Sequence, residues 1–156
     1  MNTIIELEKI KINNINQIDQ ILDIIHDEYF NSKDIDYSKN DKVLTIPFRR
    51  IFHQGPRKTI KNYLIYKVQE VDVIRSILTI KNVSNFNVID KEKIGDYSFN
   101  EIKVSNNRMD IICEPNFEMI LEMTNIDVES VDIELKGKAR ISYFLFFMES
   151  NSLKSY

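Results

Sequence analysis

The feature that most constrains this chain is a change of hydrophobic period just after Phe30. From Asn14 to Phe30 the apolar positions Ile15, Ile18, Ile21, Leu22, Ile25 and Tyr29 recur at three- and four-residue steps, with Asn16, Gln17, Asp19, Gln20, Asp23 and Asp27 between them. That spacing puts one apolar stripe on a helix, so it predicts an amphipathic helix over 14–30, capped by Asn13 or Asn14 and stopped at Asn31-Ser32. From Asp34 onward the period is two. DIDYS, a polar turn, and KVLTIPF read as a β-hairpin. The segment IIELEKIKI, 4–12, fits either a first strand or a backward extension of the helix.

Strand-like runs then follow one another over 63–68, 71–81, 87–89, 96–104, 109–114, 117–123, 126–135 and 139–148. The separators are turn residues: Asn-Phe-Asn, Ser-Asn-Asn, Pro115-Asn116, Thr124-Asn125 and Lys136-Gly137-Lys138. With only three glycines in the chain, asparagine is expected at most positive-φ turn positions. The run NFEMILEM also fits a short helix capped by Asn116. The fold class expected is mainly β (α+β): an antiparallel β-sandwich or a partly open barrel, with one N-terminal amphipathic helix packed on it. The 156 residues suit one globular domain over 1–150 with a loose C-terminal tail at 151–156.

Composition narrows the chemistry. Cys113 is the only cysteine and His26 and His53 the only histidines, so neither a disulfide nor a thiolate or histidine-rich metal centre is expected, and no cofactor is implied. There is no Gly-rich phosphate loop, no G-x-S-x-G and no C-x-x-C. The N-terminus carries acids early and lacks a signal-peptide pattern, and no stretch reaches the ~20 apolar residues that span a bilayer. A soluble, cytoplasmic protein without membrane attachment is the expectation.

Charge is distributed unevenly. IPFRRIFHQGPRKTIKNY carries Arg49, Arg50, His53, Arg57, Lys58 and Lys61 without an acid, in a chain of net charge -3. These six are the candidate binding residues for an acidic protein partner. Nucleic acid is a poor match, because the chain is acidic overall and no aromatic platform accompanies the cluster. The alternative account of the arginines is an edge strand guarded by charge. If the strand at 43–53 runs unbroken, Arg50 shares its parity with Leu44, Ile46, Phe48 and Phe52 and needs a carboxylate. Pro47 in that strand argues for an edge or a bulge, where the parity would flip. Eight acids and no base lie between Asp110 and Leu135. If Thr124-Asn125 is a two-residue turn, Glu122 faces Asp127, and Glu118, Glu122, Asp127 and Glu129 make an acidic face compensated by a cation, a basic neighbour or solvent.

Function follows only in outline. The expectation is a non-catalytic protein–protein interaction module of a small soluble bacterial-type protein, an adaptor or a toxin-neutralising binder by analogy of size and fold class. Its partner is self or foreign, and a homodimer is suggested by ARISYFLFFM, which is apolar on both parities. The alternative is a small-ligand-binding barrel or an enzyme whose pocket gathers His26, Asp27 and Arg50. The two diverge on whether those three groups converge in a cavity.

Overall fold

The structure is a computed structural model, and it describes residues 7–52, 58–62, 66–144 and 149–150. The strands, in chain order, are β1 (Lys9–Ile12), β2 (Tyr29–Asn31), β3 (Asp36–Ser38), β4 (Val43–Ile51), β5 (Lys58–Asn62), β6 (Tyr66–Ile80), β7 (Val83–Asp90), β8 (Asp96–Ser105), β9 (Arg108–Glu114), β10 (Phe117–Met123), β11 (Val128–Phe144) and β12 (Glu149–Ser150). Among the described residues one α-helix, α1 (Ile18–Ile25), follows a 3-10 turn over Ile15–Gln17, and a second 3-10 turn spans Ser32–Asp34. All pairings are antiparallel in one sheet ordered β1-β11-β6-β4-β2-β8-β9-β10-β7, with β3 on β4, β5 on β6 and β12 on β11. The order ends on β1 and β7 without closing, so the mainly-β expectation holds in the form of one unclosed sheet.

The sheet curls around a shared core that draws Ile12 from β1, Ile18, Ile21 and Ile25 from α1, Phe48 from β4, Leu78 from β6 and Leu121 from β10. Its centre is aromatic. The Phe30 ring lies 4.6 Å from Phe99 and 5.6 Å from Phe117, and Tyr97 stacks on Phe117 at 4.3 Å. Offset and edge contacts of this kind add to the area each ring buries. A smaller cluster, Ile51, Val71, Val73, Ala139 and Ile141, forms where β5 succeeds β4 as the neighbour of β6.

Several local expectations are corrected. The helix does not run to Phe30. It ends at Ile25, with His26 at ψ 130° and Asp27 at φ 63° turning the chain out of helical space. Tyr29 and Phe30 then enter β2, because Phe30 is needed in the aromatic centre. Residues Lys9–Ile12 are strand, and NFEMILEM is β10 and not a helix. The expected hairpin across Thr124-Asn125 does not form: β10 pairs with β7 and β9, whereas β11 pairs with β1 and β6. Lys136-Gly137-Lys138 is not a turn either. β11 continues through it over a bulge, and Gly137 (φ 152°) takes a backbone that a side chain would strain. Asparagine supplies three positive-φ positions, Asn82, Asn107 and Asn116, but Asp27, Lys42 and Lys93 take others.

Pro47 does not flip the parity of β4, whose register against β6 runs unbroken from Leu44 to Ile51. It is also not on a sheet edge. β3 pairs with β4 up to Thr45 and β2 from Phe48, so Pro47 stands in the gap between them. A missing N–H is harmless on the side of β4 away from β6, where no strand pairs with Pro47.

Phe30, 1% exposed, anchors the aromatic centre. Phe30→Ala is expected to lower stability by about 3–5 kcal/mol, whereas Leu135→Ala, at a side chain 47% exposed, leaves the denaturant midpoint nearly unchanged. Urea melts of the two variants check this.

Candidate functional site

The most organised polar site in the described residues is built around Arg50. It faces the core side of β4, in the row where Phe48 lies opposite Ser76 and Arg50 opposite Ile74. Asp132, in the acidic segment of β11, lies opposite Ser76 on the other side of β6. Register therefore brings Arg50, Ser76 and Asp132 together on three adjacent strands. Arg50 Nε donates to Asp132 Oδ1 at 2.8 Å and Nη2 donates to Oδ2, a two-pronged pair. Ser76 Oγ donates to Oδ1 at 2.7 Å, and the Glu8 backbone N–H donates to Oδ2 at 2.9 Å.

Burial by itself raises the Asp132 pKa. The hydrogen bonds from Arg50, Ser76 and Glu8 outweigh it, so the carboxyl titrates below its ordinary range. The Asp132 hydrogen bond raises Arg50 in turn. The side chains are 13% and 3% exposed, so the carboxylate is buried and the guanidinium largely so.

Beside it lies Glu28, which sequence reasoning did not single out. Glu28 is buried, its Oε2 accepts from the Ile51 N–H at 3.1 Å, and burial pushes its pKa up to about 8 against the pull of that hydrogen bond and of Arg50. The signal was present in HDEYF: once Tyr29–Asn31 is read as strand, Glu28 shares the parity of Phe30.

The other candidate residues are placed apart. His26 and Asp27 touch each other, Nδ1 to Oδ2 at 3.1 Å, but they are 46% and 66% exposed, while Arg50 is occupied by Asp132. No described cleft gathers the three. Arg49 points to the opposite face from Arg50 and lines a cleft of about 560 Å³ with Tyr29, Asn31, Asp34, Arg75 and Asp96. Lys58 and Lys61 are exposed on β5, with Lys58 opposite Glu70. His53 and Arg57 lie outside the described residues.

The acidic face is divided. Glu118 and Glu122 sit on β10, where Glu122 lies opposite Arg108. Asp127, just before β11, and Glu129, in it, lie near Lys11 and Lys9, at 3.9 and 3.7 Å. Glu129 and Asp127 thus have lysines nearby, whereas the Arg108 opposite Glu122 pairs with Asp110 at 2.8 Å, and Glu122 does not face Asp127. Cys113 is buried, and burial pushes its thiol pKa upward, away from reactivity. No described helix is long and apolar enough to cross a membrane. No family model, curated protein or solved structure matches the chain.

Removing Arg50 strands a buried carboxylate. Arg50→Ala is expected to cost about 3–5 kcal/mol, and Arg49→Ala close to nothing, in parallel denaturant melts. Equal, negligible losses would make both arginines exposed edge charges.

Glu28 gives a pH dependence of definite sign. Its folded pKa, about 8, exceeds the ordinary 4.5, so its contribution is fully present below the ordinary value and is lost as pH rises through 8. Asp132 acts oppositely, its contribution being lost as pH falls below the ordinary carboxylate value. Unfolding free energy is therefore expected to decline from about pH 5 to about pH 9 in the wild type, with Glu28→Gln flattening the slope.

Proposed function

We propose that the protein is a non-catalytic, cytoplasmic protein–protein interaction module that receives a partner strand along β7. The observation that carries this reading is the difference between the two edges of the sheet. β1 is four residues long and carries Lys9 and Lys11, the usual protection of an edge. β7 is eight residues, VSNFNVID, with no lysine, arginine or proline, and it exposes Val88 (42%) and Ile89 (41%).

Val88 and Ile89 project to opposite faces, since Val88 lies opposite Met119 and Ile89 opposite Glu118. An added strand would cover both, supplying main-chain hydrogen bonds for affinity and side-chain contacts for selectivity. At the first residue of the strand the edge is already occupied. The Val83 N–H donates to the Lys42 carbonyl and the Val83 carbonyl accepts from Tyr37 Oη. The stretch from Ser84 to Asp90 is the part a partner would take, displacing the Asn85 Oδ1 that accepts from the Phe86 N–H at 3.1 Å. The exposed positions of His26 and Asp27, and the saturation of Arg50 by Asp132, weigh against the alternative pocket of His26, Asp27 and Arg50.

The partner is a strand from another protein chain, with a second copy of this chain the simplest case. The double apolar pattern of ARISYFLFFM, which first suggested a dimer, reaches past the described residues at 145–148. Sedimentation across protein concentration is expected to show reversible association that Val88→Lys and Ile89→Lys each weaken. Both substitutions are at exposed positions, so the fold should survive them. A monomeric wild type would leave a foreign strand as the occupant. Association unchanged in both variants would overturn the β7 reading.

A further inference from the structure

On the face of the sheet opposite Arg50, five strands place Ser98, Tyr29, Arg49, Arg75 and Glu134 in one continuous cross-strand row. Two arginines thus stand directly opposite each other on β4 and β6. Like charges in that relation destabilise a sheet unless something answers them. Glu134 answers in part: the bulge that displaces Ile133 brings it opposite Arg75, but the contact is 3.5 Å long between side chains 43% and 57% exposed. Such a pair is weak and readily exchanged. Arg49 makes no ion pair with any described carboxylate.

The cleft beside this pair arises from Pro47. Because β3 leaves β4 at Thr45 and β2 joins only at Phe48, the sheet has a break there, floored by Pro47 and walled by Asn31 and Asp34. Its volume, about 560 Å³, is in the range of small-molecule sites. Asp34 and Asp96 share the cleft with the two arginines, and Asp96 Oδ1 accepts from Asn31 Nδ2 at 3.1 Å. Two acids beside two bases disfavour a polyanion, which the aspartates would repel, and four charged side chains among the lining residues favour a ligand that carries both signs over a purely apolar one, although Tyr29 and Pro47 also offer it apolar surface.

We propose that this cleft binds a small amino-carboxylate. Its carboxylate lies between the Arg49 and Arg75 guanidiniums, relieving their repulsion, and its ammonium group lies toward Asp34 and Asp96. Arginine is suited to the first task because its planar fork matches a carboxylate. The bases are carried on central strands, so the anion end is the rigid end of the site.

A matched set of probes tests this on the full chain: ε-aminocaproate, caproate, which lacks the ammonium, hexylammonium, which lacks the carboxylate, and inorganic phosphate. Binding is read from the Nε–H signals of the arginines in two-dimensional NMR. The expected result is saturable shifts at Arg49 and Arg75 with ε-aminocaproate, and binding weaker by about tenfold or more for each one-ended probe, as the loss of a charge-assisted contact implies. Arg49→Gln is expected to weaken ε-aminocaproate by a similar factor. Asp96→Asn should bring ε-aminocaproate down toward caproate, and Arg108→Gln, which lines other clefts at the far end of β9, should change nothing. Circular dichroism of each variant separates loss of binding from loss of fold. Caproate or phosphate binding as tightly as ε-aminocaproate, shifts indifferent to Arg49→Gln in the folded variant, or no saturable shift with any probe would overturn the proposal.

Discussion

A carboxylate inside a protein must be answered by donors, and Asp132 is answered from every side. Arg50 reaches it across 82 residues of sequence, Ser76 across 56 and the Glu8 amide across 124. The three contacts tie together β4, β6, β11 and the segment that enters β1. Each donor is fixed by its own strand register, so the pair can form only when those registers are right. Replacing buried charges by apolar groups of similar size is often harmless to stability. What the arrangement adds is a penalty on wrong registers, since a one-residue slip of β11 would turn Asp132 away from Arg50 and leave the aspartate without its guanidinium.

How much of this was legible in the sequence depended on whether the deciding contact was local. The switch from a helical to a strand period, the hairpin of β3 and β4 and the alternation of β8 and β9 are local, and they read correctly in kind, although the switch falls at His26 and not after Phe30, and the β10 sequence suited a helix as well. So did the requirement that Arg50 find an acid, because its parity with Leu44, Ile46 and Phe48 is written in one strand. The identity of that acid is not written anywhere nearby. Tyr29 and Phe30 suited both a helical stripe and a short strand, and the packing of Phe30 on Phe99 and Phe117, some seventy and ninety residues away, chose between them. Thr124-Asn125 carries ordinary turn chemistry, yet nothing local distinguishes a hairpin from a crossing to the far end of the sheet.

The arginine pair of the basic segment divides into two unlike halves. Adjacent in sequence, Arg49 and Arg50 point to opposite faces of one strand. Arg50 is spent on architecture, while Arg49 is left in a cleft opposite a second arginine that sequence inspection had no reason to associate with it. A charge count over a segment treats the two alike, and only register separates them.

The pairing of β1 with β11 has a consequence for how the chain is made. Lys9 lies opposite Val131, so β1 is made more than a hundred residues before the strand that becomes its neighbour. Hairpins such as β8–β9 and β9–β10 close over short loops and can assemble early, whereas β1 and the Glu8 amide dock only after more than a hundred further residues have been added. The buried carboxylate is thus completed only once β11 is in place, and the segment of Glu8 and β1 acts as a closing piece of the sheet.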